Sequence, residues 1–421
     1  MKALVFERNV ARFLAARAVS RLGSGRAAGI GPLRLADVEP PELPGEGWVH
    51  VRPLLSGICG SDLATIDGQS SRYFEELVSF PFVPGHEVVG TLEGPARSAM
   101  GSSLEAGTRV VLEPVLACAA RGIDPPCSAC AQGNTGACER VAFGHLRPGL
   151  QTGYCADVGG GWSTAGIAAH SSQLHAVPDH LSDNDAVTVE PLACAIHAVM
   201  SAGLREDDLV GIVGAGTLGL ATVAAISTLS ADGYIPAPRA TLVGGRYAHQ
   251  RHFAEELGAT AVFPEDQLAR AIRRHCGSKV IGGPSLRGSV GSRLSSGADI
   301  VFDCVGSAGS IEASLAMTRP RGRLVLVGMP GRVHLDLAPL WHREIALVGS
   351  YAYGIEPGGR HAFDLAFEVA ARCRAGRLVS ATYPIDRFEE AIAHAGAAGR
   401  RGAIKITFDL RGAPNRQGGR Q

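Results

Sequence analysis

The 421-residue chain balances 40 Lys plus Arg against 40 Asp plus Glu, and 46% of its residues are apolar while only 5% are aromatic. Balanced charge offers no global field for nucleic acid or an anionic membrane, and no run of about 18 apolar residues marks a membrane span. The length suits two domains. The ten cysteines do not make the dense framework of a short secreted domain and favour a reducing, cytoplasmic compartment.

In chain order, Lys2–Phe6 reads as a first strand. Residues 10–30 carry Arg12, Arg17, Arg21 and Arg26 among alanines with no acid. That is the composition of an organelle transit peptide, but the strand and Glu7 ahead of it favour an inserted amphipathic helix. Up to about residue 190, short apolar runs (48–53, 88–92, 109–112) broken by Gly and Pro read as a mostly-β unit with long loops. From residue 209 the rhythm changes. Strands at 209–213, 241–243, 261–263, 299–303, 323–327 and 345–348 alternate with helices, which predicts an α/β doubly wound parallel sheet. The Gly- and Ser-rich stretch 277–297 reads as a surface loop. A helix at 361–375 and a strand at 403–408 return to the first unit, and 411–421 lacks core formers and reads as a disordered tail. The expected domains are 1–190, with a cysteine lobe at about 113–140, then 191–348, and 349–410 rejoining the first.

Three motifs carry chemistry. Cys59, in Gly57-Ile58-Cys59-Gly60-Ser61-Asp62, and His86, in Pro84-Gly85-His86-Glu87, offer a thiolate and an imidazole to a catalytic zinc. Such a site needs three protein ligands and an open position; a Lewis acid there acidifies a substrate hydroxyl. The third ligand is open between Glu87 and Glu190. Asp62 is placed to orient a ligand, and Ser61 to pass the alcohol proton outward.

Cys127 and Cys130 form a CxxC pair, and Cys138 adds a distal thiol, the pattern of a closed structural zinc. Cys118 is the natural fourth ligand, although eight residues separate it from Cys127.

The turn Gly214-Ala215-Gly216-Thr217-Leu218-Gly219 follows a strand and opens a helix, the context that gives a GxGxxG run meaning as a dinucleotide site. Gly214 makes the turn, Gly216 admits the pyrophosphate beside Thr217 and Leu218, and Gly219 lets helix pack on strand. The next strand ends in Gly244-Gly245-Arg246-Tyr247. With no acid there for ribose hydroxyls, and Arg246 available to a 2′-phosphate, NADP(H) is favoured over NAD(H).

Together these residues resemble the zinc-containing medium-chain dehydrogenase/reductase superfamily, alcohol dehydrogenase-like, in its sorbitol and threonine dehydrogenase branch. The resemblance runs from Met1 to about Phe408. It implies a GroES-like catalytic domain, a Rossmann domain, a cleft between them and a homodimer or homotetramer. It further implies zinc on Cys59, His86 and a glutamate, with hydride passing between a small alcohol or polyol and NAD(P). Three departures stand out: the lobe usually has two residues between its first and second cysteines, many members carry a His where this chain has Ala64, and the N-terminal insert and the 277–297 loop are larger than typical. A zinc-free enone or quinone reductase is the alternative within the scaffold, and a non-catalytic NADPH-binding protein the alternative outside it. Neither has reason to retain both cysteine motifs.

Overall fold

The computed structural model describes residues 1–281 and 293–411. Most of the 277–297 stretch and the tail from residue 412 lie outside the described residues.

A seven-stranded sheet carries the first unit. Its path runs Val379–Pro384, Lys405–Asp409, Trp48–Gly57, Val88–Leu92, Arg109–Leu112 and Leu174–Ala176, with Ile167–His170 pairing onto Trp48–Gly57. The return segment therefore enters the body of this sheet: Thr407 lies opposite Gly57 and Asp409 opposite Leu55.

The second sheet has six strands, all parallel, in the order Ala261–Phe263, Ala240–Gly244, Leu209–Val213, Ala298–Asp303, Thr318–Leu326 and Ala346–Gly349. Counted along the chain this is 3-2-1-4-5-6, the doubly wound order whose reversal point opens a crevice at the strand C-termini. The first two strands in chain order, LVGIV and ATLVG, are buried throughout. Burial on both faces explains why they are continuous apolar runs without alternation. Helix Thr217–Ala231 follows the first strand and packs on Val189–Ser201, a helix that joins the two sheets.

The basic insertion forms the helix Val10–Val19, capped by the Asn9 side chain, which accepts the Arg12 N–H at 3.0 Å. Only Ala16 is fully buried in it. Val10, Phe13, Leu14 and Arg17 are among the residues that line the large cleft. No helix among the described residues is long and apolar enough to cross a membrane.

Candidate active site

Strand register assembles the first cluster. Trp48–Gly57 and Val88–Leu92 run antiparallel with Ser56 opposite Val88, and the Gly57 N–H donates to the Glu87 carbonyl at 2.8 Å. Cys59 stands two residues beyond one strand, and His86 and Glu87 stand just before the other. The Ile58 N–H donates to Ile406 O in the return strand, which fixes the third side. Cys59, His86 and Glu87 bring ligand atoms within 4.8 Å of one another.

Two glycines make this approach possible. Gly85 has φ +98°, and a Cβ there would meet the Trp162 ring at 2.4 Å. A Cβ on Gly57 would fall 1.8 Å from Glu87 Oε2. The Glu87 carboxylate thus lies over bare backbone, where it ion-pairs with the buried ammonium of Lys405. Burial works against the Lys405 charge, but Glu87 outweighs it and holds its pKa above the usual value.

Cys59 caps the helix Gly60–Ile66, and its N–H donates to Asp62 Oδ2 at 2.9 Å. Asp62 is almost wholly buried, with Oδ1 3.4 Å from His86 Nδ1, outside hydrogen-bond geometry. Burial opposes protonation of His86, yet the Asp62 charge beside it raises its pKa well above normal. Ser61, on the first turn of the same helix, lines the cleft.

Glu190 lies on the helix Val189–Ser201 and stands outside the three-residue cluster. It is buried, and Cys194 Sγ donates to its Oε1 at 3.5 Å. Burial and then the Glu87 charge push its pKa up to about 7, against the pull of His86 and Lys405. A thiol, an imidazole and a carboxylate converging in a desolvated pocket, with a second carboxylate whose charge burial disfavours, are a donor set that fits a zinc ion.

The second cluster is Cys118, Cys127, Cys130 and Cys138, again within 4.8 Å. The wide spacing does not remove Cys118, whose Sγ is 3.7 Å from that of Cys138 and accepts the Cys127 N–H at 3.4 Å. The spacer explains how. Its Arg121 is fully buried and donates to the carbonyls of Leu116, Phe143, Leu146, Arg147 and Gly149, so one guanidinium ties both ends of the lobe. Burial raises the Cys130 and Cys138 thiols above their ordinary value, whereas at Cys127 the N–H groups of Cys130 and Glu139 prevail over burial and bring the pKa down to about 6. Thiols so placed fit a closed tetrathiolate site.

A third buried group escaped sequence reasoning. Glu113 Oε2 lies 3.2 Å from Nε2 of both His175 and His361, and the Thr135 hydroxyl donates to its Oε1 at 2.7 Å. The Phe363 N–H donates to His361 Nδ1 at 3.2 Å. That nitrogen is therefore an acceptor, Nε2 carries the proton, and it donates to Glu113. The arrangement is a carboxylate clamp joining the lobe to the return segment. No local motif marks it, because its members come from four separate stretches of chain.

At the dinucleotide turn Gly214 has φ +91°, and a Cβ on Gly219 would sit 1.8 Å from Gly214 O. A Cβ on Gly216 would meet nothing within 4 Å, so its outer face is open to a ligand. Thr217 and Leu218 begin the helix, where free N–H groups favour a diphosphate. Arg246 is exposed, with its guanidinium over the Tyr247 ring at 5.9 Å. One cleft of about 2760 Å³ is lined by Cys59, Ser61, His86, Glu87 and Glu190 as well as Gly216, Thr217 and Leu218.

Residues 45–179 match the alcohol dehydrogenase GroES-like domain family and residues 241–372 the zinc-binding dehydrogenase family. The chain belongs to the zinc-containing medium-chain dehydrogenase/reductase superfamily. Within this superfamily it falls in the sorbitol dehydrogenase branch. It is 29% identical over 390 residues to L-idonate 5-dehydrogenase of Vitis vinifera, covering 90% of this chain and 93% of that one. It is 28% identical over 329 residues to human sorbitol dehydrogenase, covering 77% and 80%. A zinc-binding dehydrogenase structure from Sinorhizobium meliloti bound to NADP superposes with a TM-score of 0.65 at 25% identity, covering 92% of this chain and 98% of that one. The protein is an NAD(P)-dependent alcohol or polyol oxidoreductase.

Proposed function

We propose that the protein reversibly oxidises a secondary hydroxyl of a polyol or sugar acid, with zinc on Cys59, His86 and Glu87 and with NADP(H) as the preferred coenzyme. The observation that carries this reading is the single cleft shared by the ligand cluster and the glycine turn. When bound, zinc supplies a Lewis acid for the substrate hydroxyl and nicotinamide a hydride acceptor.

The chain's own residues do the rest. Glu87 Oε2 belongs to Lys405, which leaves Oε1 for the metal. Glu190, standing outside the trio, serves the open position. Asp62 orients Cys59 through its N–H and faces His86, and Ser61 receives the hydroxyl proton. Gly214, Gly216, Thr217, Leu218 and Gly219 cradle the diphosphate. Arg246, stacked near Tyr247 where no acid stands, meets a 2′-phosphate. Cys118, Cys127, Cys130 and Cys138 hold a second, structural zinc. L-idonate and sorbitol, named for the relatives' activities, lead the substrate list.

The proposed units are 1–190 with 349–410, and 191–348. An edge strand at Ala346–Gly349 and the exposed Trp341 support a homo-oligomer, and ten free thiols support a cytoplasmic setting.

The test is a panel of polyols, sugar acids and simple alcohols, run with NAD+ and NADP+ in parallel on zinc-loaded protein. Turnover of secondary hydroxyls with a lower KM for NADP+ is expected. Turnover only of enones or quinones would return the zinc-free reductase reading.

A further inference from the structure

The resemblance to the superfamily implies a histidine at the position that Ala64 holds here. Ala64 lines the cleft but can neither accept nor donate a side-chain proton. The structure places a different set of hydroxyls around the same helix. Tyr154 reaches in from a loop far along the chain. Its Oη lies 3.4 Å from Asp62 Oδ1 and 3.4 Å from Thr65 Oγ1. Thr65 Oγ1 lies 3.0 Å from Ser70 Oγ and 2.9 Å from the Ser61 carbonyl. Ser70 is only half-buried and sits beside exposed Gln69; the N–H groups of both donate to the Ala64 carbonyl, which folds this loop back over the helix. Ser61, Thr65, Ser70 and Tyr154 all line the cleft.

We propose that Tyr154, Thr65 and Ser70 form the proton exit in place of the missing histidine. The inference rests on the dehydrogenase reading above. As hydride leaves the carbinol carbon for the nicotinamide with its electron pair, the substrate hydroxyl gives its proton to Ser61. Ser61 gives its own to Tyr154 Oη, Tyr154 turns from Asp62 Oδ1 and gives its phenolic proton to Thr65 Oγ1, Thr65 turns from the Ser61 carbonyl and gives its proton to Ser70, and Ser70 releases one to water. Each hydroxyl ends with one proton, and a single H+ reaches solvent for each NADPH formed. Carbonyl reduction runs the same chain inward.

Two features suit Tyr154 to the middle link. It lines the same cleft as Ser61 while its Oη reaches Thr65 Oγ1. Asp62 orients the phenol but cannot end the chain, because its carboxylate is buried and already accepts the Cys59 N–H.

The experiment uses zinc-loaded full-length protein and its Tyr154→Phe and Thr65→Val variants, with sorbitol and L-idonate as probes. Each variant is expected to lower kcat for oxidation about 100-fold or more, the range for a lost proton-transfer group. Zinc content and NADP+ affinity should be unchanged, and the solvent deuterium isotope effect on kcat should rise. Adding Ala64→His to Tyr154→Phe should recover most of the loss, which a merely structural role for the ring would not allow. A Tyr154→Phe protein with unchanged kcat and isotope effect overturns the relay alone. So does a slowed variant with an unchanged isotope effect and no rescue by Ala64→His. An unsubstituted protein that turns over no secondary alcohol would sink the dehydrogenase reading and the relay with it.

Discussion

The carboxylate of Glu87 is ion-paired with Lys405, the first residue of the final strand in the first sheet. Both side chains are buried. In metal-free protein, replacing Lys405 by Met leaves a desolvated carboxylate without its partner, a change that costs about 3–5 kcal/mol. Urea unfolding should show a loss of that order. The double variant Lys405→Met with Glu87→Gln should lose less than Lys405→Met alone, since no charge is then stranded. Equal losses would mean that the pair contributes packing rather than charge.

The two sulfur clusters should separate by metal counting. Cys59→Ala is expected to remove about one zinc of two and abolish alcohol oxidation while NADPH still binds. Cys127→Ser should remove the other and lower Tm, because a closed zinc site contributes folding free energy directly. Elemental analysis alongside coenzyme fluorescence titration checks both, and a Cys59→Ala protein that still oxidises alcohols would refute the catalytic assignment.

Arg246 should decide coenzyme choice. With no acid at the end of its strand, Arg246→Ala is expected to raise KM for NADP+ about 10- to 100-fold, since a charge-assisted contact contributes roughly 1.5–3 kcal/mol, and to leave KM for NAD+ nearly unchanged. Parallel losses with both coenzymes would place the side chain elsewhere.

Glu113 should give stability a pH dependence. Burial acts to raise its pKa, but hydrogen bonds from His175 and His361 bring it down to about 2 from the ordinary 4.5. A depressed carboxylate pKa stabilises the fold fully above the unfolded value and loses that contribution as pH falls through the folded one. The shift corresponds to about 3 kcal/mol. Glu113→Gln should therefore be less stable at pH 7, with the gap narrowing as pH falls from about 4.5 toward 2 in chemical unfolding series. A gap that does not change with pH would show that the clamp works by shape alone.

Sequence and structure agree where chemistry is local. Cys59 with Ser61 and Asp62, His86 with Glu87, and Gly214 with Gly219 are each held on one turn or strand end, so short motifs exposed them. The alternating strands and helices from 209 onward were legible for the same reason. What sequence reasoning missed comes from long range. Lys405 reaches Glu87 only because the return strand enters the first sheet, and Tyr154 meets Asp62 from a loop 92 residues away. His361 joins His175 through a carboxylate that neither motif contains. The widened spacing before Cys127 cast doubt on Cys118; the carbonyls that Arg121 gathers fold the extra residues away, a solution that spacing alone does not encode.

The return strand also sets an order of assembly. Lys405 Nζ donates to the carbonyl of Ile58 across 347 residues of chain. During synthesis Cys59, His86 and Glu87 emerge from the ribosome long before the strand that covers them. At that stage Glu87 has no ammonium partner, and the edge of Trp48–Gly57 that later receives Lys405–Asp409 is unpaired. A nascent chain can complete its parallel coenzyme sheet first, but the substrate-side pocket closes only when translation has passed the last strand. Stalled or prematurely terminated chains would thus carry an intact nucleotide cradle beside an open, aggregation-prone sheet edge.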